Sequence, residues 1–115
     1  MSYPANKAGD VYTVPSGIKR IGMYAFDSNQ NLTKIIMNEG VTVIRTSAFA
    51  SSKKLTSVVL PSSITTIEDS IFYKCKNLTT VYYRGSEEQW NQIKINSRWL
   101  KDAPVTPQIV YNYTE

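Results

Sequence analysis

Leu32, Leu55 and Leu78 stand 23 residues apart, and each opens the same pattern, Leu-Thr-x followed by apolar-x-apolar. The middle unit reads LTSVVLPSSITTIEDSIFYKCKN and the one before it LTKIIMNEGVTVIRTSAFASSKK. One period earlier, GDVYTVPSGIKRIGMYAFDSNQN keeps the register from Gly9 without the leucine. Apolar columns follow: Tyr12, Ile35, Val58 and Val81; Val14, Met37, Leu60 and Tyr83; Ile18, Val41 and Ile64; Ile21, Ile44 and Ile67; Phe26, Phe49 and Phe72. Self-similarity at a fixed period of this length marks a stacked repeat architecture. Each unit is too short to bury its apolar side alone, so neighbours must share one continuous core.

Within a unit, Leu55, Val58 and Leu60 form an L-x-x-V-x-L strand segment of the leucine-rich-repeat type. Alternation points Val58 and Leu60 inward and Val59 outward. Pro61 ends this strand, as Pro15 does in the first unit, because proline donates nothing to a ladder. A polar turn leads to a second extended piece, Ile64 to Ile67, and a short helical turn then plugs the core with Phe72, Phe49 or Phe26. Leu55, Val58, Leu60, Ile64, Ile67 and Phe72 are thus expected to be buried together. From Arg84 the register breaks. Ser86-Glu87-Glu88-Gln89 is a capping box with acids in the first helical turn. Trp90 and Ile93 share a helical face, and Ile109, Tyr111 and Tyr113 alternate as a closing strand after Pro104 and Pro107.

The expected fold is an α/β repeat solenoid: a short right-handed leucine-rich-repeat superhelix with 23-residue repeats, a parallel β-ladder, short helical turns and a C-terminal helix-plus-strand cap. It reads as one domain, 1–115. Residues 1–31 hold an N-terminal strand and incomplete repeat, 32–54 and 55–77 are repeats, and 78–115 supply the final strand and the cap.

Composition removes several function classes. The chain has no histidine and one cysteine, which excludes a histidine-dependent triad, a Cys/His dyad and an ordinary zinc site within one chain. The net charge of +4 comes without a basic run longer than two residues, so no specific nucleic-acid interface is read. No apolar stretch approaches the ~18 residues of a membrane helix, and MSYPANKAGD has no signal-peptide pattern.

These residues resemble the BspA-like leucine-rich repeat family of bacterial surface proteins. Its unit looks like L-T-S-[IV]-x-[IV]-P-x-x-V-T-x-I-x-x-x-A-F-x-x-C, which residues 55–75 match nearly throughout. VYYRGSEEQWNQIKI is similar to the segment that often closes such arrays, and YPANKAGDVYTVPSGI to the stretch that often precedes a first repeat. Ile71 stands for the usual alanine, Asn38 for proline, and Asn29 and Ser52 for cysteine; only Cys75 keeps that position. The resemblance implies a non-enzymatic protein-recognition or adhesion module, extracellular or on the cell surface, binding host matrix proteins such as fibronectin or fibrinogen. The alternatives are a structural spacer of a larger exported protein, or an intracellular (cytoplasmic) or phage-borne interaction domain. No cofactor, metal or catalytic residue is implied.

Two surfaces are candidates for a protein partner. The outward strand row Ile36, Val59 and Tyr82, with Lys34 beside it, is apolar on a face expected to meet solvent. Lys53, Lys54, Lys74 and Lys76 lie on the return segments and are expected to form a basic edge. Other groups read as structural. Cys75 is an inward filler, Glu87-Glu88 complement the helix dipole, and Trp90 and Trp99 cover the open core end. The adjacent acids Glu68-Asp69 point different ways and do not make a hydrolytic pair. The sequons at Asn31, Asn77 and Asn112 have no role in a bacterial protein.

Overall fold

The structure is a computed structural model and describes residues 11–114. The described residues form two parallel sheets that share one core. The first contains β1 (Val11–Thr13), β3 (Lys34–Ile36), β5 (Ser57–Leu60), β7 (Thr80–Tyr83) and β9 (Gln108–Val110). The second contains β2 (Arg20–Ile21), β4 (Val43–Ile44), β6 (Thr66–Ile67) and β8 (Lys94–Ile95). Through β7, each pairing joins columns read from the repeat: Tyr12 with Ile35, Ile35 with Val58, Val58 with Val81, and Ile21 with Ile44 and Ile67 in turn. The chain is therefore a parallel β-solenoid of about three turns with the spacing of its repeat.

The register does not end at Arg84. Thr66 pairs with Lys94 and Thr80 with Gln108, so partners lie 28 residues apart in the last turn instead of 23. The extra residues all fall between β7 and β8, in the segment that carries α1 (Glu87–Trp90). Beyond the insertion, Ile95 joins the Ile67 column and Ile109 the Val81 column. What reads in sequence as a helix and one closing strand carries two strands, β8 continuing the second sheet and β9 the first. Helix α1 starts on the expected box: Ser86 Oγ accepts from Gln89 N and Gln89 Oε1 from Ser86 N.

The third side also departs from expectation. Among the described residues the segments behind Phe26, Phe49 and Phe72 are turns, not α-helical ones. The amides of Ala25, Asp27 and Asn29 donate to carbonyls three residues back, whereas those of Tyr24, Phe26 and Ser28 donate to Thr46, Ala48 and Ala50 of the next unit. The second unit repeats this, with Ser47, Phe49 and Ser51 donating to Asp69, Ile71 and Tyr73. The alternation depends on left-handed residues at matching places: Tyr24, Ser47 and Ser70, then Ser28, Ser51 and Lys74, with φ between 56° and 59°. Serine, small and polar, suits most of these positions. A helix would aim every amide along its own axis; here half of them aim at the neighbouring unit, so buried backbone groups are paired between turns.

The core contains all six residues expected of the central unit, Leu55, Val58, Leu60, Ile64, Ile67 and Phe72. Phe26, Phe49 and Phe72 stack at 5.5 and 5.6 Å between centroids. Tyr12 lies 5.9 Å from Phe26 at one end of this column and Trp99 6.2 Å from Phe72 at the other.

Candidate protein-binding face

The outer face of the first sheet is built by strand alternation. Lys34, Ser57 and Thr80 form one outward row, and Ile36, Val59, Tyr82 and Val110 the next. The threonine ladder beside them is a backbone device: Thr56 Oγ1 donates to the Thr33 carbonyl at 3.0 Å, and Thr79 Oγ1 to that of Thr56 at 3.4 Å. Lys34, Ile36 and Tyr82 are half-buried.

Val59 corrects the expectation of an open face. It points away from the core, since Val58 and Leu60 belong to the core cluster and Val59 does not, yet it is 0% exposed. Its outward neighbour Ser57 is also buried. Tyr113, Tyr82 and Lys34 close over them. The Tyr113 ring lies 4.5 Å from that of Tyr82 on β7, and its hydroxyl is 3.4 Å from Lys34 Nζ on β3. Strand β5 runs between β3 and β7, so this cluster bridges the line of Ser57 and Val59. Lys34 Nζ sits 5.5 Å from the Tyr82 ring and 5.7 Å from the Tyr113 ring, a cation held against two π faces.

A backbone irregularity places Tyr113 there. Gln108 N donates to Thr79 O, but Tyr113 N donates to Tyr83 O, one residue later than that spacing requires, and Asn112 N reaches Gly85 O. Asn112 adopts φ 57°, a left-handed conformation that asparagine tolerates better than most residues. A one-residue slip moves a side chain to the opposite face. Tyr111 therefore keeps its ring on the core side, 6.5 Å from Trp90, while Tyr113 goes outside. The expectation that Ile109, Tyr111 and Tyr113 alternate along one strand is corrected, because β9 ends at Val110. The signal was Asn112 itself, a residue type that breaks strands, inside an apparent alternation.

The other candidates fall as follows. Lys53, Lys54, Lys74 and Lys76 are all exposed. Lys53 and Lys76 share a register position, whereas Lys54 matches Asn77 and Lys74 matches Ser51. Lys74 Nζ lies 5.3 Å from the Tyr73 ring, and Asn77 Nδ2 donates to the Lys53 carbonyl. Cys75 is buried, and its Sγ donates to the Phe49 carbonyl at 2.9 Å, as Ser52 Oγ does to that of Phe26 one unit earlier. Burial pushes the thiol up to about 11, outweighing its polar contacts to the Ser52 and Ser51 backbone, so it stays protonated at neutral pH.

Glu68 and Asp69 are used within the stack. Glu68 Oε1 accepts from Arg45 Nε at 3.0 Å and Thr46 N at 2.9 Å, and Asp69 Oδ1 from Thr46 Oγ1 at 2.8 Å. Partial desolvation works against the Glu68 carboxylate, but the Thr46 amide and Arg45 outweigh it and lower its pKa. The Thr46 hydroxyl does the same for Asp69. Both carboxylates serve as joints between units. Trp90 is buried against Tyr83 at 5.2 Å and Trp99 at 5.8 Å, and Trp99 is half-buried. Among the described residues no helix is long and apolar enough to cross a membrane.

Residues 8–106 match the family described as BspA type Leucine rich repeat region (6 copies). Among solved structures, the chain is similar to a leucine-rich repeat protein from Eubacterium ventriosum, with 25% identity and a TM-score of 0.71 over 95% of this chain and 34% of that one. It is also similar to the pneumococcal vaccine antigen PcpA, with 20% identity and a TM-score of 0.63 over 98% of this chain and 44% of that one. A leucine rich cell surface protein from Faecalibacterium prausnitzii shares 26% identity at a TM-score of 0.49, over 84% and 38% of the two chains. The chain thus spans less than half the length of each. A comparison with curated proteins returns no match. With the repeat register, the two parallel sheets and a family match over most of its length, the chain belongs to the BspA-type leucine-rich repeat family.

Proposed function

We propose that this chain is a non-enzymatic protein-recognition module of the bacterial surface that takes its partner on the outer face of the first sheet. The observation that carries this reading is the row Ile36, Val59 and Tyr82, with Lys34 beside it. Three neighbouring strands, β3, β5 and β7, align these apolar groups outside the core, where packing within a unit does not require them. Tyrosine and a desolvated apolar surround are what concentrated interface energy uses, and Lys34 adds steering toward an acidic partner. The segment from Ser86 onward closes one end of the core through Trp90 and Trp99, so the module works as a single domain. Host matrix proteins such as fibronectin and fibrinogen are the partners to test first, as the family resemblance implies.

The experiment compares two folded variants in surface plasmon resonance against immobilised fibronectin and fibrinogen. Lys34→Glu/Ile36→Glu alters the strand face at two half-buried positions; the other variant converts Lys53, Lys54, Lys74 and Lys76 to glutamine. Loss of binding in the first variant alone supports the face. Loss in the second alone moves the site to the basic edge. One observation favours a second reading, a spacer repeat with no ligand of its own: the face is covered by Tyr113. Absence of binding by the unaltered chain supports the spacer.

A further inference from the structure

The covering ring is itself informative about what the face recognises. We infer that the outer face of the first sheet is a receptor for a tyrosine side chain carried on an extended segment, and that Tyr113 is its intramolecular occupant, which a partner's tyrosine must displace. This rests on the strand-face reading above and names the ligand chemistry of that site.

The slot has three parts. Tyr82 offers a ring face at 4.5 Å, with the planes inclined by 36°. Val59, on the strand that the cluster bridges, forms a buried apolar floor. Lys34 Nζ meets the phenol oxygen at 3.4 Å and lies within 6 Å of both ring centroids. A phenol is the group that satisfies all three, since its flat apolar body fits the floor and ring while its oxygen accepts from an ammonium. An aliphatic side chain loses the stacking and the acceptor, and a carboxylate loses the floor. The backbone points the same way. Tyr113 reaches the slot only because the chain slips by one residue at a left-handed Asn112; without the slip, alternation would send this ring to the core side. Bulges are features that re-aim a side chain. The amides of Asn112 and Tyr113 are hydrogen-bonded to the Gly85 and Tyr83 carbonyls, so a partner segment has open strand-edge groups to use once residues 112–114 lift away. Strand β9 is held separately by its pairing to β7 through Val110 and does not need to move.

The test uses the full chain carrying Tyr113→Ala and the blocked peptide Val-Tyr-Asn-Tyr-Thr, residues 110–114, followed by methyl and amide NMR. A tethered segment acts at an effective concentration of about millimolar, so the peptide is added to that level. In the variant, the Val59 methyl and Lys34 side-chain signals are expected to lose the ring-current shift that Tyr113 imposes. The core methyls of Val58 and Ile44 are expected to stay in place, showing an intact fold. Added peptide restores the Val59 and Lys34 shifts; the same peptide with alanine at its second tyrosine does not, and the unaltered chain responds to neither. Tyr113→Phe serves as a second variant. It is expected to keep the Val59 shift, move Lys34 and admit the peptide only partly. Three results overturn the inference: Val59 signals that Tyr113→Ala leaves unmoved, a variant that no peptide restores, or restoration by the alanine peptide as well. None of these readings uses the matrix proteins, so failure here is distinguishable from failure of the strand-face reading.

Discussion

The unit 55–77 and the closing segment 84–114 build the same turn of the solenoid by different means. In the first, every element recurs one period away: Val58 beside Ile35 and Val81, Phe72 beside Phe49, and Cys75 on the Phe49 carbonyl as Ser52 is on that of Phe26. In the second, an insertion carries α1, Trp99 stands at the end of the phenylalanine column, and a slip at Asn112 throws Tyr113 onto the outer face. Periodic burial supplies the stacking, and its interruptions add what a plain stack lacks: a tryptophan against the last phenylalanine and a second tyrosine ring on the outer face. Phe49 stands in the middle of the phenylalanine column. Phe49→Ala removes a ring sandwiched at 5.5 and 5.6 Å between two others. The expected loss is about 3–5 kcal/mol from cavity formation in urea unfolding. Because units contact only their neighbours, the two flanks are also expected to uncouple into a broader transition. A loss below ~1 kcal/mol would mean that the rings do not couple the units.

The repeat made most of the fold legible. Column positions alone identify the apolar core residues of 55–77 and the pairing of the seven strands β1 to β7, because a fixed period maps directly onto a parallel register. What the period could not carry lies in two places. The turn side looks helical from Ala25-Phe26 and Ala48-Phe49, yet left-handed serines divert alternate amides to the next unit, and serine is too common a residue to announce that geometry. The fate of the outer face was illegible for a different reason. Val59 alternates outward as expected but is buried beneath a cluster whose third member, Tyr113, comes from far along the chain and is displaced by one residue from its apparent strand position. Candidate residues Lys34, Ile36 and Tyr82 could be placed from register, and the ring that covers their neighbour could not.

The closing segment predicts a smaller and more local effect. Trp90 packs against Tyr83 at 5.2 Å, Trp99 at 5.8 Å and Tyr111 at 6.5 Å. It has core on one side only, so Trp90→Ala is expected near the lower end of the aromatic-to-alanine range, about 3 kcal/mol. The damage should be confined to the last turn. Amide exchange at Ile95 and Ile109 is expected to accelerate strongly while Val58 and Ile35 keep their protection, as local opening at the end of a repeat array requires. Uniform acceleration through all units would show instead that the tryptophan holds the whole stack and that the two regions are not separable.

The smallest effect tests whether the repeat position at Cys75 is about sulfur or about a donor. Ser52 does with a hydroxyl what Cys75 does with a thiol, each giving a 2.9 Å hydrogen bond to the carbonyl of the preceding unit's phenylalanine. Cys75→Ser should therefore change stability by less than ~1 kcal/mol, the loss of apolar volume being offset by a stronger donor. Cys75→Val keeps the volume but removes this donor, leaving the Phe49 carbonyl with the Ser52 amide alone at 3.3 Å, which is expected to cost about 0.5–1.5 kcal/mol. The raised pKa gives a second readout with a definite sign. Burial lifts the folded thiol to about 11, above the ~8.5 of an unfolded cysteine, so the folded state holds its proton longer. Stability from this group is complete below about pH 8 and declines as pH rises from there toward 11. The thiol's share of that alkaline decline should be absent in Cys75→Ser, since serine does not titrate in this range, while burial raises Tyr83 and Tyr111 as well and their share remains. Alkylation by iodoacetamide at pH 8 should likewise follow the opening equilibrium and rise steeply only with urea. Rapid labelling of the folded chain, or a Cys75→Ser variant as damaged as Cys75→Val, would show that the thiol itself, not the donor it shares with Ser52, is what the position requires.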